Sequence, residues 1–436
     1  MEFVLAFTGS RGDVQPGLAL GVQLRALGHD VTMAVPPNLA DFCRRAGIPT
    51  REFGADTKEL LDSALVSSEL KSANPLTRLR ALARLTVRDG RRTQTELLEL
   101  TAHADALIGG SVGQERLLNV ADARGIPYVP LHYCPLRRNS VASLLPLRAA
   151  PGRAHHLSWT ALEQLTWLAT RSAERELAAD LGLPPPTSPP ATRIAQRGVP
   201  EIQAYDPVLF PGLAQEWGHD RPLVGFLDLT PQTRAMIGED STDLDDWLGA
   251  GSPPLYVGFG SMTIADPDRL ARTFTEVADA LGLRLLVAAG WSEFMAGESS
   301  DRVRVVRAVD HATVLPRCVA AVHHGGAGST AAALRAGIPA LVCWIGADQP
   351  MWGRRLDALG IGVGLPVTRL DRVTLTRAVR ELLRPERAVA ARRVASAMVA
   401  PHEAVRAAAA LVEVSARTPV GAGPYRPSRP SRGGVR

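Results

Sequence analysis

The sequence predicts an α/β protein made of two Rossmann-like domains, each a doubly wound parallel sheet, that face each other across a cleft. Three observations carry this. Short, continuous apolar runs alternate with helix-period segments, as strands buried on both faces require, and the alternation restarts near residue 254. Glycine-rich turns stand at the ends of the strands. The length of 436 residues exceeds one ordinary core and suits two domains of roughly 200 residues each.

In order, residues 3–7 form a strand that ends in TGSRGDVQP (Thr8–Pro16). A helix carrying Leu18, Leu20, Val22, Leu24 and Leu27 closes at Gly28, and 31–35 is the next strand, which completes a right-handed βαβ unit. A helix at 37–46 and a strand at 48–53 follow. Residues 57–100 are helical with a break at Asn74-Pro75, and strands at 104–110 and 126–132 flank a helix at 114–124. The 134–200 segment is irregular. Its proline clusters at 184–186 and 189–190 bound an amphipathic stretch, 157–183, with Trp159 and Trp167, and such an insertion suits a substrate pocket or lid. Short strands near 201–205 and 223–227 end the first domain, 1–227, and the acidic stretch 228–253 is a linker with a helix leading into the second domain.

The second domain, 254–400, has strands at 254–260, 285–289 and 302–306, helices at 266–282 and 311–317, and then 319–350, a strand, glycine turn, helix and strand. Helices at 348–359, 371–384 and 386–399 come next, then a terminal helix at 401–416. The tail 417–436, rich in Pro, Gly, Ser and Arg, is expected to be disordered.

Composition excludes several classes. Hydrophobic residues make up 46% of the chain and the net charge is +5, which describes a globular protein with ample core. No basic block is interleaved with aromatics, so nucleic acid is not an expected partner. Cys43, Cys134, Cys318 and Cys343 have no CxxC spacing and suit buried, reduced thiols in a cytoplasmic protein. No apolar run reaches the roughly 20 residues of a membrane span, so stable membrane insertion is not expected.

Three constellations carry chemistry. HHGGAGST (323–330) sits where a strand becomes a helix, so unpaired N–H groups and the helix dipole favour an anion there. The same glycines could instead serve tight helix–strand packing. No lysine follows them as in a P-loop, and only one of the two histidines can face the cleft, because strand neighbours point oppositely. Asp348-Gln349, at the end of the next strand, suits hydrogen bonding to vicinal hydroxyls, or simply a helix cap. Asp13, on the first helix turn, is either a dipole-favoured N-terminal carboxylate or a general base. GSRGD lacks the third glycine of a dinucleotide fingerprint, and AVPPN after the second strand offers no acid for a ribose. Asp243, Asp245 and Asp246 suit a solvated linker face, and no cluster has metal-ligand spacing.

At these residues the chain resembles the nucleotide-sugar-dependent glycosyltransferases of family 1, which have the GT-B fold. It is similar to the bacterial natural-product branch, which contains vancomycin-type glycopeptide aglycone glycosyltransferases, with sterol glucosyltransferases close by. The likeness spans residues 1 to about 415. It is strongest in FTGSRGDVQPGLALGVQLRALGHDVTMAVPP, in YVGFGSM and in VHHGGAGSTAAALRAGIPALVCWIGADQPMWGRRLDALGIGVG.

The resemblance implies an inverting, metal-independent hexosyltransferase. Asp13 would be the general base. Ser10, Arg11, Gly12, Ser261, His324, Gly326, Gly328 and Ser329 would lie against the donor phosphates; unchanged nucleoside diphosphate affinity in His324→Ala would move that role to His323. The Val309 backbone would meet the nucleobase, and Asp348 and Gln349 would grip the sugar. The terminal helix would cross back to the first domain. The expected co-substrate is a UDP- or dTDP-sugar with no other cofactor, the expected acceptor is a hydrophobic aglycone, and the expected assembly is a monomer or weak dimer. A sterol or lipid acceptor, or a non-catalytic partner that activates another glycosyltransferase, are the alternatives.

Overall fold

Four- and five-residue runs that are buried along their whole length set the architecture, because only strands covered on both faces can hold them. The computed structural model describes residues 1–57, 59, 77, 90–143, 152–238, 242–260, 262, 264, 266–290, 294–295 and 300–418. Ser261, the expected tail from 419 on and most of the 57–89 segment lie outside the described residues.

The first sheet contains β1 (Glu2–Ala6), β2 (Asp30–Val35), β3 (Thr50–Glu52), β4 (Ala106–Gly109), β5 (Tyr128–His132) and β6 (Ile202–Gln203), in the order β3-β2-β1-β4-β5-β6. The second contains β7 (Leu255–Gly258), β8 (Leu285–Ala288), β9 (Val303–Val306), β10 (Ala320–His323), β11 (Ala340–Trp344) and β12 (Gly362–Pro366), in the order β12-β11-β10-β7-β8-β9. All pairings are parallel. The two sheets therefore share one winding, and the expected pair of doubly wound domains is present. Winding reverses between β1 and β4 in one sheet and between β7 and β10 in the other. Crevices for ligands open at the strand C-terminal ends at such points. The helices Arg11–Ala26 and Ala327–Arg335 begin there, directly after β1 and β10.

A shared core joins the halves. Trp352, fully buried on the helix Gln349–Ala358, stacks edge-on against Phe210 at 5.6 Å and Tyr205 at 6.5 Å, with Phe226 at 6.0 Å. Aromatic pairs of this kind contribute about 0.5–1.5 kcal/mol each beyond burial. From the same helix Arg354 Nη2 donates to the Ser143 carbonyl (2.6 Å) and Arg355 Nε to the Leu209 carbonyl. The terminal helix Pro401–Arg417 buries Ala404, Ala408, Ala409 and Val412 in the core of the first sheet, and its Glu413 meets His29 at 2.9 Å.

Four local expectations differ from what forms. The 223–227 segment is not a strand; only Leu223 bridges to Gln203, and Gly225, at φ +95°, turns the chain away. The amphipathic stretch expected at 157–183 is one continuous helix, Arg153–Ala179. The linker holds two helices rather than one, Pro231–Ile237 and Thr242–Gly249. Conversely, β12 was not expected, because GVGLP has the composition of a turn. Its glycines serve contact instead: Gly353 and Gly364 face each other so closely that a Cβ on Gly364 would lie 2.9 Å from the Gly353 Cα.

Candidate functional site

After β1 the chain turns at Gly9, with φ +112°, where a Cβ would come within 2.4 Å of Asp13 Oδ2. Only glycine meets both conditions. Ser10 then caps the first helix, and Asp13 is its third residue. Asp13 Oδ2 accepts from the Ser10 backbone N–H (2.7 Å) and from Ser10 Oγ (3.0 Å). Oδ1 accepts nothing among the described residues. Burial lifts the Asp13 carboxyl to about 6, the Ser10 hydrogen bonds oppose this, and the charge of Asp348 adds to it. Asp13 thus has the cap geometry of the structural reading and the raised, half-buried carboxylate of the catalytic one.

Asp348 reaches the same place from the other domain. Its Oδ2 accepts from Trp352 Nε1 at 2.8 Å; burial raises its pKa, opposed by Trp352 and Cys134. The next residue differs from expectation. Gln349 is buried, and its Oε1 accepts from the Ile345 N–H (2.7 Å) and the Gly346 N–H (3.2 Å), so its carbonyl is committed to holding the turn. Its Nε2 lies 3.5 Å from Met262 Sδ, which leaves only that amide group for an incoming hydroxyl.

The two histidines part as the strand alternation requires. His323 is 1% exposed, and its Nδ1 accepts from the Gly325 N–H (3.0 Å). Burial, with His324 and His311 nearby, pushes it down to about 3, so it is neutral and turned into the protein. His324 is half-buried between Gly260 and Gly326, where a Cβ would lie 2.9 Å and 2.5 Å from its ring. Burial pushes it down to about 4, with the Gly258 backbone opposing. A neutral imidazole remains a donor, and a bound anion would raise its basicity. Beside it, the Ala327–Arg335 helix starts at Gly326 with no side-chain cap, and the N–H groups of Ala327, Gly328 and Ser329 have no partner among the described residues. A Cβ on Gly328 would meet open space. Four candidates, His324, Gly326, Gly328 and Ser329, thus share one edge.

Arg11 faces the second domain from the first. Its guanidinium lies over Phe42 (4.6 Å), and its charge opposes the burial that raises the Tyr256 phenol on β7. Tyr256 Oη meets His311 Nε2 at 2.7 Å. Gly12 is exposed at the mouth. Val309 is buried, yet its backbone N–H and C=O carry no hydrogen bond among the described residues, while Asp310 caps the following turn through the Ala312 N–H (3.0 Å).

Two residues were not singled out in the sequence. Cys134 is buried, and its thiol is raised well above the ordinary range by burial first, with the charges of Asp348 and Asp13 adding. Tyr133 is raised by burial, with Asp13 adding, and its hydroxyl is buried beside Gly110 without a partner among the described residues. The available signal was position: both directly follow β5 at the edge where β1 ends. Next to the Gly9 turn a small recess is lined by Thr8, Phe53, Leu97, Val112, Arg116 and Leu117. Among the described residues no three His, Cys, Asp or Glu gather as metal ligands do, and no helix is long and apolar enough to cross a membrane.

The chain matches two family descriptions: the glycosyltransferase family 28 N-terminal domain over residues 3–132, and the erythromycin biosynthesis protein CIII-like C-terminal domain over residues 292–414. It is 40% identical over 423 residues to the uncharacterized glycosyltransferase Rv1524 of Mycobacterium tuberculosis, covering 96% of this chain and 99% of that one. It is 29% identical to the sterol 3-beta-glucosyltransferase UGT80A2 of Arabidopsis thaliana, over 88% of this chain and 61% of the relative. In fold it is similar to spinosyn rhamnosyltransferase SpnG complexed with thymidine diphosphate. The TM-score is 0.62 at 18% identity, over 95% of this chain and 99% of the other.

Proposed function

We propose, starting from the fact that this chain belongs to the GT-B glycosyltransferase family, that it moves a hexose or deoxyhexose from a UDP- or dTDP-sugar to a hydroxyl of a hydrophobic aglycone, with inversion. The observation that supports this reading is a carboxylate from each domain at one place: Asp13 on the first turn of its helix and Asp348 at the start of the Gln349–Ala358 helix, with the charge of Asp348 adding to the rise of the Asp13 carboxyl. One end of the reaction lies in each domain.

In this mechanism the acceptor O–H gives its proton to Asp13 as the oxygen forms a bond to the anomeric carbon. The bond from that carbon to the diphosphate oxygen breaks on the opposite face, and the electron pair leaves with the nucleoside diphosphate. A base with a pKa of about 6 is mostly ionised at pH 7 and still a useful proton acceptor. His324, the open N–H groups of Ala327, Gly328 and Ser329, and the helix dipole offset the charge on the leaving group. Ser10, Arg11, Gly12 and Ser261 complete the phosphate contacts, the Val309 backbone groups, unpaired among the described residues, suit the edge of a nucleobase, and Asp348 with the Gln349 amide holds the sugar. Fixed donors of this number make a metal unnecessary. A silent activating partner would have no use for the base and the sugar grip together.

A mass-spectrometric screen of UDP- and dTDP-sugars against hydrophobic aglycones, with chelator present, tests this. The expected result is a hexosylated product whose anomeric configuration, read by NMR, is opposite to the donor's. Donor consumption without a glycosylated product, retention of configuration, or abolition by the chelator would overturn the reading.

A further inference from the structure

The long helix Arg153–Ala179 turns Trp159, Trp167, Ala173, Leu177 and Ala178 inward. Its opposite face is unusual for a helix exposed to water. Leu157, Leu165 and Leu168 are 66%, 54% and 55% exposed. Ala161, also exposed, lies between them, and spacings of four, four and three residues put all of them on one stripe. Arg153 and Arg171 are exposed along one flank of that stripe, about five turns apart, and Arg175 extends it.

Charge on this face is mainly basic. Arg153 and Arg171 form no ion pair or hydrogen bond with any described residue. Glu163 and Glu174 point away and bind Arg138 (2.6 Å) and Arg193 (2.8 Å). Glu176, exposed one residue past Arg175, is the carboxylate at the C-terminal end of this face, against the three arginines Arg153, Arg171 and Arg175. A second copy docking here by two-fold symmetry would set stripe against stripe but offer one carboxylate, Glu176, for three arginines on each side. An apolar small molecule would leave them unanswered. An anionic lipid surface answers both features, with leucines in the boundary between headgroups and acyl chains and arginines against the headgroups.

We infer that this face docks the protein on an anionic lipid surface. The inner side of the same helix ties the docking face to the cleft. Ser158 Oγ meets Ser143 Oγ (3.2 Å) and Trp159 Nε1 donates to the Ala142 carbonyl (2.7 Å). Ser143 in turn receives Arg354 from the helix that opens at Asp348-Gln349. The inference deepens the proposed function by its acceptor class, a hydrophobic hydroxyl compound lodged in a membrane, and so rests on that reading for its purpose alone.

The full-length protein is spun with vesicles of phosphatidylcholine alone and of phosphatidylcholine with one quarter phosphatidylglycerol, with no nucleotide sugar present. The wild type pellets with the anionic vesicles and not with the neutral ones. The variant Leu165→Gln/Leu168→Gln loses about tenfold or more in partitioning, and Arg153→Gln/Arg171→Gln about twenty-fold, both remaining folded by circular dichroism. Failure to pellet, equal pelleting on neutral vesicles, or a dimer in sedimentation velocity that the leucine variant abolishes would overturn the inference. Since no transfer reaction is read, its failure is distinct from failure of the catalytic reading.

Discussion

Replacing Asp13 by Asn removes a charge that the fold holds in a poor place. Burial lifts this carboxyl from 3.8 to about 6 despite two hydrogen bonds from Ser10. A folded-state pKa above the unfolded one means that folding favours the protonated form. Its contribution is fully present below about pH 4 and is lost as pH rises through about 6. The full gap corresponds to about 3 kcal/mol at pH 7, and the partial exposure of Asp13 reduces this to about 1–2 kcal/mol. Asn is nearly isosteric, neutral, and still offers an oxygen to the Ser10 N–H. Asp13→Asn therefore gains about 1–2 kcal/mol at pH 7 and next to nothing at pH 4. Urea unfolding followed by tryptophan fluorescence and circular dichroism at both pH values measures it. If Asp13 is held only as a helix cap, loss of its charge at the dipole costs about 0.5–1 kcal/mol instead. A fall in stability at pH 7 would refute the argument that this carboxylate is kept charged for a purpose other than folding.

Other consequences follow from the same geometry. The kcat/KM profile rises about tenfold per pH unit and levels near pH 6, where Asp13 becomes ionised. Ser10→Ala removes the Oγ hydrogen bond that lowers this carboxyl, so the inflection moves upward; a flat profile from pH 5 to 7 would exclude Asp13 as the base. His324→Ala lowers affinity for the nucleoside diphosphate about tenfold by calorimetry, the scale of one hydrogen bond to a charged group. Unchanged affinity would assign the phosphate contact elsewhere.

Much of the architecture was legible because buried parallel strands leave an unmistakable trace. Runs such as those of β1, β7 and β10 have no polar alternation, and each is followed by a glycine turn and a helix. The separation of His323 from His324 was legible for the same reason, since side chains on a strand alternate. What was hidden depends on contacts between distant segments. Gly362–Pro366 becomes a strand only because Gly353 and Gly364 let the Gln349–Ala358 helix lie against it. Gln349 reads as a side chain with both amide atoms open to a sugar, whereas its carbonyl holds the turn at Ile345 and Gly346 and only its Nε2 is left for a ligand. Cys134 and Tyr133 look like core residues, and the sequence does not say that β5 delivers them beside Asp13. The apolar stripe of Arg153–Ala179 was visible as amphipathicity, but which side faces water depends on where Trp159 and Trp167 pack.

The most direct test of the central claim compares turnover and donor binding in Asp13→Asn and the wild type, with a nucleotide sugar and acceptor identified by the screen. If Asp13 removes the acceptor proton, turnover falls by about two decades or more, while donor affinity measured by calorimetry stays at the wild-type value. Near-normal turnover in Asp13→Asn would contradict the account.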